Sequence, residues 1–156
     1  MPRQPRLLIE NVCYHVICRG NQRQAVFLTD DDHSKYIMLL RHYKRKHRAR
    51  LYAFCLMTNH VHLIVDCLKL TKLMHGINLS YAKYFNKKHN KVGHLWQDRF
   101  KSLVITKDKY LLDCLQYIEY NPVRARIVDN PANFQWSSYR NRILGQISDT
   151  LDQIEL

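Results

Sequence analysis

Two adjacent apolar segments near the middle of the chain constrain the fold more than any other feature. The first, Leu51 to Met57, is a continuous apolar run, and the second, His60 to Cys67, is rich in β-branched residues. Runs of this length and composition are typical of buried strands. Because only Thr58 and Asn59 separate them, we expect a tight turn and an antiparallel pair. The sequence therefore predicts a sheet built around this hairpin.

The remaining periodicities predict two further strands, at Val12 to Arg19 and at Ser102 to Ile105. Three helices are also predicted, each beginning at a capping residue: from Thr29 or Asp30 to about Arg48, from Thr71 to about His89, and from Thr106 to about Asn121. The order β-α-β-β-α-β-α is that of a ferredoxin-like split βαβ fold with an added helix. We therefore expect an α+β protein whose four-stranded antiparallel sheet has two helices on one face. The other face is left for a ligand or for the third helix, and a single domain covers residues 1–156.

The charge balance indicates a polyanionic partner. Lys and Arg number 25 against 13 Asp and Glu, a formal net charge of +12. A small protein this basic usually binds nucleic acid, although some proteins are merely basic. No run of about 18 apolar residues and no secretory signal occurs, so no membrane association is expected. The five cysteines lack C-x-x-C spacing, which is typical of reduced thiols in a cytoplasmic protein.

His60 and His62 are the first candidate site residues. Side chains alternate between the faces of a strand, so both histidines point one way while Val61 points the other. A histidine pair at this spacing can supply two ligands to a metal ion. Two partly exposed polar residues of a strand are the alternative, and the pair alone does not decide between these interpretations.

Tyr117 and Asn121 are the second pair of candidates. They are four residues apart in the third predicted helix and so share one of its faces. The amide oxygen could be a third ligand, and an N, N, O set with open positions suits Mg²⁺ or Mn²⁺ bound together with a phosphate. The alternatives are a packing tyrosine, one of ten in the chain, and a helix-ending Asn before Pro122.

These four residues belong to a longer ordered set of motifs. The set comprises Arg19-Gly20-Asn21 with Phe27, Met57 to His62, His94 to Phe100, Tyr117 to Ala125, and Trp136 to Tyr139. Taken in this order, the motifs resemble the IS200-like single-tyrosine (Y1) transposases of the HUH nuclease superfamily, and most closely the REP-associated tyrosine transposases of bacteria. The likeness covers almost the whole chain. One departure is Arg126, where many relatives have glycine.

The resemblance implies a metal-dependent DNA transesterase. In this family the strand histidines bind a divalent metal, the helix tyrosine is the nucleophile and the third ligand follows one turn later, which matches His60, His62, Tyr117 and Asn121. Tyr120 is a competing nucleophile, but it faces differently on a helix. The expected reaction cleaves and rejoins single-stranded, hairpin-flanked DNA through a 5′-phosphotyrosine, with Mg²⁺ or Mn²⁺. No nucleotide cofactor is expected because the chain lacks a Walker-type phosphate loop. Relatives act as dimers or as monomers. The resemblance therefore leaves open whether this protein is a homodimer and whether Tyr117 acts in its own chain or in a partner's site.

The expected DNA contacts are basic, polar or aromatic: Arg19, Asn21, Arg23, Lys83, Lys87, Trp96, Arg99, Lys101, Arg124 and Arg126. Basic residues would contact phosphates and Trp96 would stack on a base, but each has an ordinary surface or core role as its alternative. The main alternative function is a catalytically idle protein that binds DNA hairpins, although such a binder needs none of the four site residues for chemistry. A hydrolytic phosphoesterase with two H-x-[ST] motifs is disfavoured, since His60-Val61-His62 is not of that form and has no second copy.

Overall fold

The computed structural model describes residues 12–154, and its framework is a four-stranded antiparallel sheet. The strands are β1 (Cys13–Arg19), β2 (Arg50–Leu56), β3 (His60–Asp66) and β4 (Lys101–Ile105). They lie in the order β2-β3-β1-β4, so β1 and β3 are central and β4 is an edge strand. This order is that of the ferredoxin-like split βαβ fold, and the predicted α+β class is confirmed.

Within residues 12–154, three long and two short α-helices accompany the sheet. They are α1 (Asp30–Lys46), α2 (Leu70–Lys88), α3 (Lys109–Glu119), α4 (Asn121–Arg124) and α5 (Tyr139–Arg142). No helix within residues 12–154 is both long enough and apolar enough to cross a membrane.

The predicted cap of α1 is confirmed, and those of α2 and α3 are wrong. Thr29 caps α1 in a capping box with Asp32. Thr71 lies inside α2, which begins one residue earlier because the fully buried Leu70 packs into the core as part of its first turn. The α3 helix is capped by Asp108, whose carboxylate accepts the backbone N–H of Tyr110 at 2.9 Å.

The two faces of the sheet differ in how completely they are covered. Along β3, Val61, Leu63 and Val65 face α1 and α2 and form the larger core. Ile64 belongs to the second core under α3, so alternation places His60 and His62 on that face as well. The second core also includes residues of the neighbouring strands and of α3: Cys13, Ala53, Cys55, Ile105, Leu111, Leu115 and Ile118.

The α3 helix leaves part of its face of the sheet uncovered. Ile17 is half-buried and Arg19 is exposed near the end of β1, and Leu103 on the adjacent edge strand is 60% exposed. The polar side chains of the candidate site stand beside this opening. The fold therefore places the buried His62 and the half-buried His60 at the edge of this opening.

Candidate active site

His60, at the start of β3, is held between two amide side chains. Its Nδ1 lies 2.7 Å from Oδ1 of Asn59, and its Nε2 lies 3.4 Å from Nδ2 of Asn121. Because an amide oxygen can only accept, Nδ1 of His60 carries the proton and donates to Asn59. The electron pair on Nε2 is then directed towards Asn121. This tautomer is the one that can bind a metal ion through Nε2.

His62 is 6% exposed and pairs with a third histidine. Its Nδ1 lies 2.9 Å from Nε2 of His15 on β1. Burial lowers the pKa of His62 to about 3, helped by the nearby His60, His15, Arg19 and Arg124. Burial also lowers the pKa of His60 to about 4, with a further contribution from the charge of Arg19. Both rings are therefore neutral at physiological pH, as metal ligands must be.

Asn121 supplies the third donor that a metal site here would need. No group of three or more His, Cys, Asp or Glu side chains in the described part of the chain is arranged to hold a metal ion. The amide of Asn121 reaches His60 across 61 positions of sequence, and it carries an oxygen as well as the nitrogen in contact. Two imidazole nitrogens and an amide oxygen fit a divalent cation with mixed ligands, such as Mn²⁺ or Mg²⁺, and leave positions open.

Tyr117 lies on α3 one turn before Asn121, and its side chain is 55% exposed. The guanidinium carbon of Arg124 is 3.9 Å from the centre of the Tyr117 ring, and the same group donates a hydrogen bond to the carbonyl oxygen of Tyr117. Arg124 therefore supports both the ring and the backbone of the candidate nucleophile.

The helix that carries Tyr117 is interrupted before it reaches Asn121. We expected one helix to about Asn121, but α3 ends at Glu119 and Asn121 begins α4. Pro122 has no N–H to continue the α-helical pattern, and Tyr120 between the two helices has φ −89° and ψ 0°. This break is small, since the N–H of Tyr120 still donates to the carbonyl of Gln116 at 3.0 Å.

Three of the predicted DNA-contact residues surround the histidines. Arg19 is paired with His60 in the β1–β3 register, and Lys101 is paired with Ile17 on the other side of β1. Arg124 extends from α4 over Tyr117. Together they make the rim of the opening cationic, which suits the approach of a phosphate.

Four of the other predicted DNA contacts lie away from this site. Lys83, Trp96 and Arg99 line a groove of about 680 Å³ between α2 and residues 93–100, on the opposite face of the sheet. Lys87 is exposed further along α2. Trp96 packs against the larger core and donates its indole N–H to a backbone carbonyl of α2 at 3.2 Å, so its ring forms a wall of the groove.

The remaining predicted DNA contacts lie in two turns. Asn21 and Arg23 lie in a short 3₁₀ turn directly after β1, where the N–H of Asn21 donates to the carbonyl of Leu95 at 2.7 Å. Arg126 follows α4 with φ 60°, in the left-handed region.

His15 and Asn59 are site residues that sequence reasoning missed. Asn59 stood in the predicted turn directly before His60, and its hydrogen-bonding side chain was a usable signal. No sequence signal marks His15. It reaches His62 only through the register in which β1 pairs with β3, and the sequence does not specify that register. Both contacts hold the histidine rings through Nδ1.

Comparison with known proteins shows which family this chain resembles. Residues 8–121 match the family model described as transposase IS200 like. A Haemophilus influenzae protein with the provisional name REP-associated tyrosine transposase is 28% identical over 142 residues, which covers 80% of this chain and 78% of that protein.

Two solved structures show the same fold. A REP-associated tyrosine transposase bound to a REP hairpin has a TM-score of 0.76 at 18% identity, over 98% of this chain and 95% of that chain. A Deinococcus radiodurans protein provisionally named a transposase has a TM-score of 0.51 at 20% identity, over 76% of this chain and 96% of that chain.

Proposed function

The chain belongs to the IS200-like transposase family, and from this premise we propose that it is a metal-dependent transesterase of single-stranded DNA. In this proposal Tyr117 is the nucleophile, and His60, His62 and Asn121 hold Mn²⁺ or Mg²⁺. The substrate is single-stranded DNA flanked by a hairpin.

One observation carries the proposal: the contact between Asn121 and His60 at 3.4 Å. It joins the strand that bears two neutral histidines to the helical segment that bears Tyr117. Without it, the histidine pair and the tyrosine would be separate features. With it, the amide of Asn121 lies at the histidine pair, and the exposed phenol of Tyr117 lies one helical turn before that amide.

The chemistry needs one bond to form and one to break. The phenolic oxygen of Tyr117 bonds to phosphorus as the bond from phosphorus to the 3′ oxygen breaks, and the phenol's proton ends on that oxygen. The products are a 5′-phosphotyrosine and a free 3′-hydroxyl. Because the phosphodiester energy stays in the new ester, a second 3′-hydroxyl can reverse the step without a nucleotide cofactor.

Each site residue has a distinct task. When bound, a divalent cation supplies Lewis-acid polarisation of the phosphate and offsets charge on its non-bridging oxygens. Asn59 and His15 orient the rings of His60 and His62. Arg124 packs against the exposed ring of Tyr117 and restricts its orientation.

Hairpin DNA is the proposed partner for two reasons. The net charge of +12 suits a polyanion, and basic residues lie both beside the site and along the groove on the other face. The solved structure that covers 98% of this chain is bound to a REP hairpin, and we extend that class of partner to this chain.

The test is a covalent adduct on a denaturing gel. The protein is incubated with Mn²⁺ and a hairpin that carries a single-stranded flank and a label at its 3′ end. We expect a labelled band at the mass of protein plus DNA, because the 3′ fragment keeps the phosphate that joins Tyr117. The band should disappear with Tyr117→Phe, with His60→Ala or with a chelator, and persist with Tyr120→Phe as the matched control.

Two results would overturn the proposal. If the wild-type protein binds the hairpin but forms no adduct, it is the catalytically idle binder. If an adduct survives Tyr117→Phe, another residue is the nucleophile.

A further inference from the structure

Glu119 is a buried carboxylate midway between Tyr117 and Asn121. It is 1% exposed, whereas Tyr117 is 55% exposed and Asn121 is half-buried. At 100° per residue, Glu119 lies about 200° around the helix from each of these two residues. It therefore shares the face of α3 that carries Leu115, which packs against the sheet. Burying a carboxylate is unfavourable unless other groups compensate its charge.

The carboxylate has two partners in the C-terminal part of the chain. Arg142 binds it with both prongs of its guanidinium, Nη2 to Oε1 at 2.8 Å and Nε to Oε2 at 3.1 Å. The hydroxyl of Ser138 donates to Oε2. A two-pronged arginine–carboxylate pair fixes orientation as well as distance.

The segment that carries those partners is hydrogen-bonded to β2. The carbonyl of Trp136 accepts the N–H of Leu56 at 2.8 Å, and the N–H of Ser138 donates to the carbonyl of Phe54 at 2.9 Å. Ser137 between them is bridged to Cys55, and Cys55 is paired with His62 in the β2–β3 register. A short chain of contacts therefore runs from the last turn of α3, through Glu119, to the strand beside the histidines.

Stability alone does not account for this arrangement. Leu111, Leu115 and Ile118 already fix α3 to the sheet by apolar packing. Replacing a buried ion pair by apolar residues is often neutral or stabilising, so the pair is weak evidence for a role in stability, and in some proteins such pairs define position instead. The two-pronged ion pair adds a defined distance and orientation between the end of α3 and the C-terminal segment.

We propose that the contact of Glu119 with Arg142 and Ser138, the helix anchor, positions Tyr117 and Asn121 against His60 and His62. The inference rests on the function proposed above and assigns Glu119 as a positioning residue that touches neither DNA nor metal. It also gives residues 136–142 a role in the reaction, although they lie outside the stretch that matches the family model.

The test compares anchor variants with a control from the same short helix. Glu119→Gln removes the charge, and Arg142→Lys keeps the charge but loses the two-pronged geometry. Arg140→Lys is the control, because Arg140 contacts the carbonyl of Ala132 and not α3. Ser138→Ala keeps the ion pair but also removes the acceptor of the Phe54 N–H, and it is the second variant in case Glu119→Gln does not fold.

We expect the anchor variants to slow single-turnover adduct formation by about 10- to 100-fold, since a displacement near 1 Å has effects of this size. The hairpin Kd should stay within about twofold of the wild type, because the anchor does not contact DNA. Amide hydrogen exchange should accelerate at residues 117–124 but not in the central strands. Arg140→Lys should match the wild type in all three measurements.

The outcomes separate this inference from the proposed function. If folded Arg142→Lys and Ser138→Ala keep the wild-type rate and exchange pattern, or if rate and affinity fall by the same factor, the helix anchor is not a positioning device. If the wild type forms no adduct, the proposed function fails, and hydrogen exchange is then the only test of the helix anchor. Faster exchange confined to residues 117–124 then supports it, and unchanged exchange overturns it.

Discussion

Arg126 occupies a backbone conformation that suits glycine. Its φ is 60°, and it follows α4 with two hydrogen bonds that close the helix. The N–H of Arg126 donates to the carbonyl of Val123 at 3.0 Å, and the N–H of Ile127 donates to that of Pro122 at 2.9 Å. This is the Schellman pattern, in which the residue after the C-cap is left-handed and most often glycine. The departure from glycine noted in the sequence therefore has a structural cost.

Arg126→Gly should raise the free energy of unfolding by about 0.5–1 kcal/mol, because glycine has no Cβ to clash in the left-handed region. Urea denaturation measures the change. Arg126→Ala is the control, since it removes the charge but keeps the Cβ, and it should not stabilise the protein. A glycine variant no more stable than the alanine variant would contradict the explanation.

At the scale of elements, α1 and α2 are joined by a buried carboxylate at one end of the sheet. Asp32, in the first turn of α1, has a fully buried side chain and accepts hydrogen bonds from Lys88 at 3.0 Å and from His89 at 2.9 Å, both at the end of α2. Burial by itself raises the pKa of Asp32, but the hydrogen bonds from Leu28, Lys88, His89 and Tyr84 outweigh it and hold the pKa well below its usual range.

Asp32→Asn should lower the free energy of unfolding by about 3 kcal/mol at neutral pH, the loss typical of removing one partner of a buried pair. Because the folded-state pKa is depressed, this contribution is complete above the unfolded-state value of about 4 and is lost as the pH falls below it. Urea denaturation at pH 7, 4 and 3 should show the gap between wild type and variant closing. A gap that persists or widens at pH 3 would contradict the role of the charge.

At the scale of the whole molecule, six of the predicted DNA contacts form two groups on opposite faces. One group lies beside the histidines and the other lines the groove along α2. The single strand to be cut must reach the histidine face, so that face should hold the flank of the hairpin.

Replacing Arg19 and Lys101 by Gln should weaken binding of a hairpin with a single-stranded flank. The slope of log affinity against log salt should become shallower by about 0.7 for each phosphate that the variant no longer neutralises. A hairpin without the flank should bind as before. Lys83→Gln with Arg99→Gln is the charge-matched control and should leave the contribution of the flank intact. If the Lys83 and Arg99 variant loses the contribution of the flank and the Arg19 and Lys101 variant keeps it, the single strand lies in the groove.

Local pattern was sufficient for the framework and for half of the site. The apolar runs on either side of Thr58 and Asn59 predicted the central hairpin, and strand alternation placed His60 and His62 on one face. The helix boundaries near Thr71 and Thr106 were wrong because burial of Leu70 and capping by Asp108 decide them.

Long-range contacts were beyond local pattern. His15 reaches His62, and Glu119 reaches Arg142, through strand register and the course of the C-terminal segment. The pairing of Tyr117 with the histidines came from the resemblance of ordered motifs, since spacing alone left it open.

The central claim is that the phenol of Tyr117 takes the 5′ phosphate of the cut DNA. The most direct measurement is mass spectrometry of the adduct after digestion with nuclease and trypsin. Cleavage after Lys109 and Arg124 releases a peptide that contains Tyr110, Tyr117 and Tyr120, and fragment ions distinguish them. We predict a nucleotide-5′-phosphate on Tyr117 alone. A modification on Tyr120 or Tyr110, or a peptide without any modification, would contradict it.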